Sequence, residues 1–236
     1  MLRLAEVTFA YAGEVMRYDL EVARGEICAV LGPSGAGKST LLDLAAGFLR
    51  PSAGRVWADG RDVTSWAPSL RPMTSLFQQD NLFAHLDVAA NVGLGIDPGL
   101  RLRLADRTRV AEALARLGLA GLERRLPEAL SGGERQRVAL ARCLVRDRPI
   151  LLLDEPFAAL GPAMRRDLLD LVRALRDERG LTVVMVSHQP EDARRIADTT
   201  AFVAAGRVLL KAATATVLDD PPAELRNYLG EAIAAG

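Results

Sequence analysis

Apolar residues fall along this chain in two rhythms. Alternation of the kind that buries one face of an extended strand runs through Leu2–Phe9 and Met16–Val22, while Ile27–Leu31 is apolar throughout. A glycine-rich turn, Gly32–Gly37, follows, and Lys38–Phe48 is a helix-forming run. Further short strands are predicted at Gly54–Ala58, Met73–Phe77, Ile150–Leu153, Leu181–Ser187, Thr200–Val203 and Arg207–Leu210. The runs at Ile150 and Thr182 lack polar alternation, which predicts parallel strands covered on both faces. Between Gln78 and Pro149 the period lengthens: Asp106–Leu117 and Glu134–Arg146 read as helices, with no convincing strand between them. Pro162–Arg179 reads as a long amphipathic helix with Leu168, Leu169, Leu171, Val172 and Leu175 as its buried stripe. The Ala-rich stretch after Asp219 reads as another helix, whose docking the pattern leaves open.

At 236 residues the chain has room for one composite domain. Its 30 basic and 30 acidic side chains cancel, so no global field draws it to nucleic acid or anionic lipid. Only two of the basic residues are lysines, which makes Lys38 conspicuous. Cys28 and Cys143 lie far apart in apolar contexts, which predicts buried thiols in a reducing compartment rather than a disulfide. Met1–Ala10 reads as a strand with Arg3 and Glu6 inside it, not as an export signal, and no apolar run approaches the roughly 20 residues a membrane helix needs. A membrane role is therefore expected from the side of the bilayer.

The turn reads Gly32-Pro33-Ser34-Gly35-Ala36-Gly37-Lys38-Ser39 and matches the phosphate-loop pattern G-x-x-x-x-G-K-[ST], between a strand and a helix as that mechanism requires. Glycines let backbone N–H groups turn inward around phosphate, and the helix presents its positive end to the same anion. Lys38 is expected to neutralise β- and γ-phosphate charge, and Ser39 to offer its hydroxyl to Mg²⁺. The apolar run Ile150–Leu153 ends in paired carboxylates, Asp154 and Glu155. In a doubly wound sheet that tip faces the ligand, placing Asp154 near Mg²⁺ and Glu155 beside the γ-phosphate as base toward the attacking water. A strand-end turn whose acids cap the next helix reads the same way in isolation. Ser131-Gly132-Gly133-Glu134 opens a further helix, where Ser131 is a cap and the exposed amides form a second anion site. An ordinary capped helix start looks identical, and the residues alone leave both readings open.

Leu130–Arg142, LSGGERQRVALAR, resembles the signature of the ATP-binding cassette family, and with the phosphate loop and Asp154-Glu155 the resemblance spans essentially the whole chain. It implies a P-loop NTPase core with a mainly parallel sheet (1–77 and 149–236), an antiparallel β subdomain and an inserted helical subdomain (78–148). It implies ATP and Mg²⁺ as ligands, and a head-to-tail homodimer in which each ATP lies between one copy's loop, Gly32–Thr40, and the other's Ser131–Glu134. Tyr11 matches the aromatic that stacks on adenine, Gln78 the glutamine that touches Mg²⁺ and water, and His188 the histidine that meets the γ-phosphate. Two positions depart from the family pattern. Glu134 replaces a glutamine, and Ala158-Ala159-Leu160-Gly161 ends in glycine where an aspartate usually makes cross-dimer contacts. Phe48, Arg71-Pro72, Asn81–Leu86 and Asn91–Gly95 with Pro98-Gly99-Leu100 resemble the ATPases of bacterial thiamine importers. Importers of polyamines, iron or sulfate share parts of these segments, and a soluble non-transport cassette shares the ATP site. The resemblance further implies membrane permease subunits as partners, an extracytoplasmic solute-binding protein at one remove, a place on the cytoplasmic face of the inner membrane, and no nucleic acid.

Overall fold

A strand buried at every residue, β3 (Ile27–Leu31), lies inside the sheet and delivers the glycine-rich turn. The computed structural model describes residues 1–11, 13–77 and 82–234, with the backbone alone at 224 and 231–234. Around β3 are β1 (Leu2–Tyr11), β2 (Glu14–Val22), β4 (Ala53–Ala58), β5 (Arg61–Asp62), β6 (Met73–Leu76), β7 (Ile150–Asp154), β8 (Thr182–Val186), β9 (Thr199–Ala204) and β10 (Arg207–Ala213). They join in one sheet of order β5-β4-β1-β2-β10-β9-β3-β8-β7-β6. β6, β7, β8, β3 and β9 run parallel. β1, β2, β4 and β5 form an antiparallel wing, attached through β10, which is antiparallel to β9 and parallel to β2. β5 is the strand that the pattern misses.

β3, β7 and β8 are almost wholly apolar because alternate residues enter different cores. Leu151 and Leu153 of β7, with Val183 and Met185 of β8, face the long helix α5 (Pro162–Arg179) and the helices α2 (Val88–Gly93), α3 (Leu104–Arg116) and α4 (Gly132–Val145), which fall between β6 and β7. Ile150, Leu152, Val184 and Val186 face α1 (Lys38–Ala46) and the antiparallel wing. α5 begins on Pro162 and ends on Gly180, in the left-handed conformation (φ 64°) with its N–H on Arg176 O at 2.8 Å. Its buried stripe is Leu168, Leu169, Val172 and Leu175. At roughly 1.5–3 kcal/mol for each fully buried apolar side chain, that face outweighs the few tenths a surface ion pair supplies. Leu171 is half-buried instead, and Arg165 is buried on this helix without any apolar signal.

α1 stops at Ala46, short of the expected Phe48, because Gly47 turns left-handed (φ 86°) and its N–H closes on Asp43 O. The tail left open by the pattern docks. α6 (Pro190–Ile196), α7 (Thr214–Asp219) and α8 (Ala223–Ala234) cover the outer side of β3 and β9, where Leu225 and Tyr228 pack with Ala29, Leu31 and Phe202. No described helix is long and apolar enough to cross a membrane.

Candidate active site

Strand register sets the site. Val30 pairs with Val186, and Val186 with Asp154, so β3, β8 and β7 end level and release the phosphate loop, the His188 turn and Glu155 side by side. Gly32 leaves no room for a side chain: a Cβ there would lie 2.0 Å from Val203 O. Gly37 (φ 95°) is equally constrained, since a Cβ would meet the Tyr18 hydroxyl at 2.4 Å. That hydroxyl donates to Gly37 O at 2.8 Å, and burial pushes its pKa up to about 12, so it remains a donor. Gly206 donates to Ala36 O from the β9–β10 turn at 3.1 Å and accepts from Arg17 N–H at 2.7 Å. The loop is thus braced from β2, β9 and β10.

Lys38 is buried, and its Nζ donates to Gly32 O (2.7 Å) and Pro33 O (2.8 Å), within its own loop. Burial lowers its pKa, with Glu155 and Asp154 pulling the other way. Behind it the first-turn amides of α1 have no partner inside the helix, and Gly37 supplies no side-chain cap. The opposite end of α1 is held by Arg71, a fully buried guanidinium donating to Leu44 O at 2.8 Å and Ala45 O at 2.6 Å, a cation at the negative helix end.

Asp154 ends β7. Burial raises its pKa above the usual carboxylate range; a hydrogen bond from the Ser39 hydroxyl opposes this, and the Glu155 charge adds to it. Its Oδ1 is buried with no hydrogen-bond partner. No described cluster of three or more His, Cys, Asp or Glu could cage a metal. A carboxylate with an unused oxygen beside an exposed serine hydroxyl instead fits Mg²⁺ carried in by phosphate, which brings most of its own oxygen ligands. Glu155 follows in a left-handed conformation (φ 44°), with its N–H on Val186 O, and its Oε1 meets His188 Nε2. The His188 turn is fixed by neighbours. Ser187 Oγ accepts from Gln189 N–H (3.0 Å) and donates to Asp192, which holds Arg165 of α5 in a buried, two-pronged ion pair.

Ser131 Oγ accepts from Glu134 N–H at 3.3 Å, and the Glu134 carboxylate accepts from Ser131 N–H at 2.7 Å, a reciprocal cap that the residue pair S-x-x-E encodes. These bonds hold Glu134 below the usual carboxylate range. Gly133 lies against Met164, whose Sδ a Cβ would meet at 2.2 Å. No hydrogen bond or ion pair among the described residues joins Ser131–Glu134 to Gly32–Thr40. Tyr11 ends β1 and is 69% exposed, open to a flat ligand. Gln78 lies outside the described residues. Tyr18, Gly206, Arg165, Ser187 and Asp192 escaped the sequence reading. Only Ser187 and Asp192, beside His188, offered a local signal.

A cleft of about 300 Å³ opens between α1, β6, α2 and α4, lined by Phe48, Phe77, Leu94, Arg142, Cys143 and Arg146. Phe48 and Phe77 stack at a tilt with centroids 5.5 Å apart. Cys143 and Cys28 are buried and unpaired.

Comparison with known proteins identifies the family. The sequence model of the ABC transporter family matches residues 15–158, more than half the chain, a span that holds both Gly32–Thr40 and Ser131–Glu134. The chain belongs to the ABC transporter family. This cassette is 52% identical over 231 residues to the thiamine import ATP-binding protein ThiQ of Brucella suis, covering 98% of the chain and 96% of the relative. The protein of that name from Mesorhizobium japonicum is 54% identical over 97% of the chain and 91% of its own length. The one from Shigella flexneri is 53% identical, covering 92% and 94%. The ATP-binding cassette MJ1267, solved in its ADP conformation, superposes with a TM-score of 0.87 over 98% of both chains at 23% identity, which shows the fold. The cassette MJ0796, solved as a dimer in a post-hydrolysis state bound to ADP and Pi, superposes at 0.79 with 30% identity over 91% of this chain and 99% of its own. The mixed sheet with its helices is thus the fold of an ABC ATPase.

Proposed function

We propose that this chain is the ATP-hydrolysing subunit of a thiamine importer. The observation that carries the reading is identity above 50% along nearly the full chain to thiamine import ATP-binding proteins of three genera. ATP would enter with its base on Tyr11 and its phosphates on the amides of Gly32–Thr40. Lys38 would exchange two backbone carbonyls for phosphate oxygens. Ser39 and Asp154 are the residues that would hold Mg²⁺, with Gln78 as a further ligand. When bound, the ion neutralises charge on the β- and γ-phosphates. Glu155 orients water and takes its proton as oxygen attacks the γ-phosphorus and the bond to ADP breaks. His188 contacts the γ-phosphate while holding Glu155 in place. A second copy completes the site through Ser131–Glu134, so closure depends on nucleotide. The cleft under Phe48 and Phe77, at the junction of the 1–77 and 149–236 core with the 78–148 helical insert, takes the permease on the cytoplasmic face of the membrane. The solute meets the permease and an extracytoplasmic binding protein, not this chain.

The test is uptake of labelled thiamine in cells that lack their own importer ATPase and express the cognate permease and binding protein. Wild type should restore uptake of thiamine and leave uptake of a polyamine, iron or sulfate unchanged. Glu155→Gln should bind ATP, elute as an ATP-dependent dimer in gel filtration and release phosphate at least 100-fold more slowly, as expected when the proton acceptor is lost. Restored uptake of another solute would overturn the substrate, and an ATP-bound monomer of Glu155→Gln the sandwich.

A further inference from the structure

The phosphate loop and the His188 turn leave the sheet from different strands, yet one side chain of α8 bonds the second and packs in the apolar cluster of Leu31, which precedes the first. Tyr228, in the second turn of α8, donates its hydroxyl to the carbonyl of His188 at 3.1 Å. Burial raises the pKa of that hydroxyl, with the Gly32 backbone opposing the rise, so it keeps the proton it donates. The ring is buried and tilted against Phe202, with centroids 5.7 Å apart, while Leu225, one turn earlier, is fully buried in the same cluster. The hydroxyl therefore stands on a fixed stem against the residue that holds Glu155.

Resting on the ATPase reading, we propose that Tyr228 is a positioning residue for hydrolysis: its hydroxyl ties the His188 turn to α8, making α8 part of the catalytic unit. The His188 ring is substantially exposed, with 41% of its side chain accessible, so packing alone does not orient it. Its orientation is inherited from its backbone. Ser187 and Asp192 fix that backbone on the side of α5 and α6, whereas Tyr228 is the contact from α8. Losing the hydroxyl frees the His188 carbonyl and lets the imidazole drift from Glu155. A displacement of this kind affects chemistry more than binding, because the loop amides and Lys38 that grip the phosphates keep their own supports.

The experiment uses Tyr228→Phe, which retains the ring and its contact with Phe202. Expected are a five- to twenty-fold fall in kcat for ATP, a KM within twofold of wild type, and a melting temperature within about 2 °C. Because the chain has only His85 and His188, ring signals of the free protein supply a second readout that needs no turnover. Tyr228→Phe should shift or broaden the His188 signals and leave those of His85 in place. Coincident histidine spectra, or a kcat equal to that of wild type, overturn the proposal, as does a loss of kcat that merely tracks lost stability or a raised KM. A shifted His188 signal in a protein whose wild type never hydrolyses ATP would leave the brace standing and sink the ATPase reading instead.

Discussion

Asp154 carries its charge where the protein alone does not favour it. Burial raises its pKa, and in the free protein the Ser39 hydroxyl and the more distant Lys38 and His188 charges answer it only in part. A carboxyl whose folded pKa lies above its unfolded one stabilises the fold while protonated, below the unfolded pKa; that contribution is lost as pH rises through the folded value. At neutral pH the ionised form is therefore a cost that a bound cation would remove. Asp154→Asn, which can still accept from Ser39, is predicted to raise the melting temperature of the nucleotide-free protein by roughly 2–4 °C, the shift about 1 kcal/mol gives in a chain of this size. The gain should shrink toward pH 4 and be accompanied by loss of hydrolysis. Calorimetry of both proteins across pH decides it, and an unchanged or lower melting temperature at pH 7 refutes the assignment. Lys38, Ser39, Glu155 and His188 are legible in sequence because each sits within a few residues of a strand end that announces itself. Arg165 is not, since its reason for burial is Asp192, 27 residues further on.

Caps decide several element boundaries, and one of them is incomplete. α5 is capped by Gly161, whose backbone (φ −62°, ψ 156°) suits an aspartate, whose Cβ position is open, and which supplies no side-chain bond to the first turn. Gly161→Asp adds a capping oxygen and a negative charge at the positive helix end. Together these are worth roughly 0.5–1 kcal/mol. Thermal unfolding should therefore rise by about 1–4 °C, and a fall would mean that this end of α5 is held by something other than its cap. In α4 the cap is complete, which explains why glutamate serves at position 134: its carboxylate closes the reciprocal pair with Ser131. Long elements were readable from pattern, as α5 shows by matching its expected limits. α2, α6 and α7, of six or seven residues, are too short to display a helical period, and β5 has two residues. Their places come from partners: Asn91 of α2, fully buried, donates to Phe83 O and Leu86 O and ties that helix to its entry loop.

Across the whole molecule, the helices between β6 and β7 do not form a core of their own. Val92, Leu114, Val138 and Leu144 belong to the same apolar cluster as Leu153, Leu169 and Met185. Nucleotide binding at the strand ends should therefore stabilise the molecule as one unit. With Mg-ATP at a hundredfold excess over its Kd, mass action adds about 2.7 kcal/mol, which predicts a single transition displaced upward by roughly 5–10 °C. Gly32→Ala, whose methyl would collide with Val203 O, should lose that displacement. Two separate transitions, only one of them moving with ATP, would show that the helical part melts independently.

Lys38 has a further consequence for which small molecules the pocket ignores. Its ammonium is held by the carbonyls of Gly32 and Pro33, so an anion that takes the amine must replace two hydrogen bonds. A visitor must offer this amine a better bargain than two peptide oxygens, and a nucleoside or a lone chloride has too little charge density to do so. The expected outcome is a loop that prefers a polyphosphate chain to either.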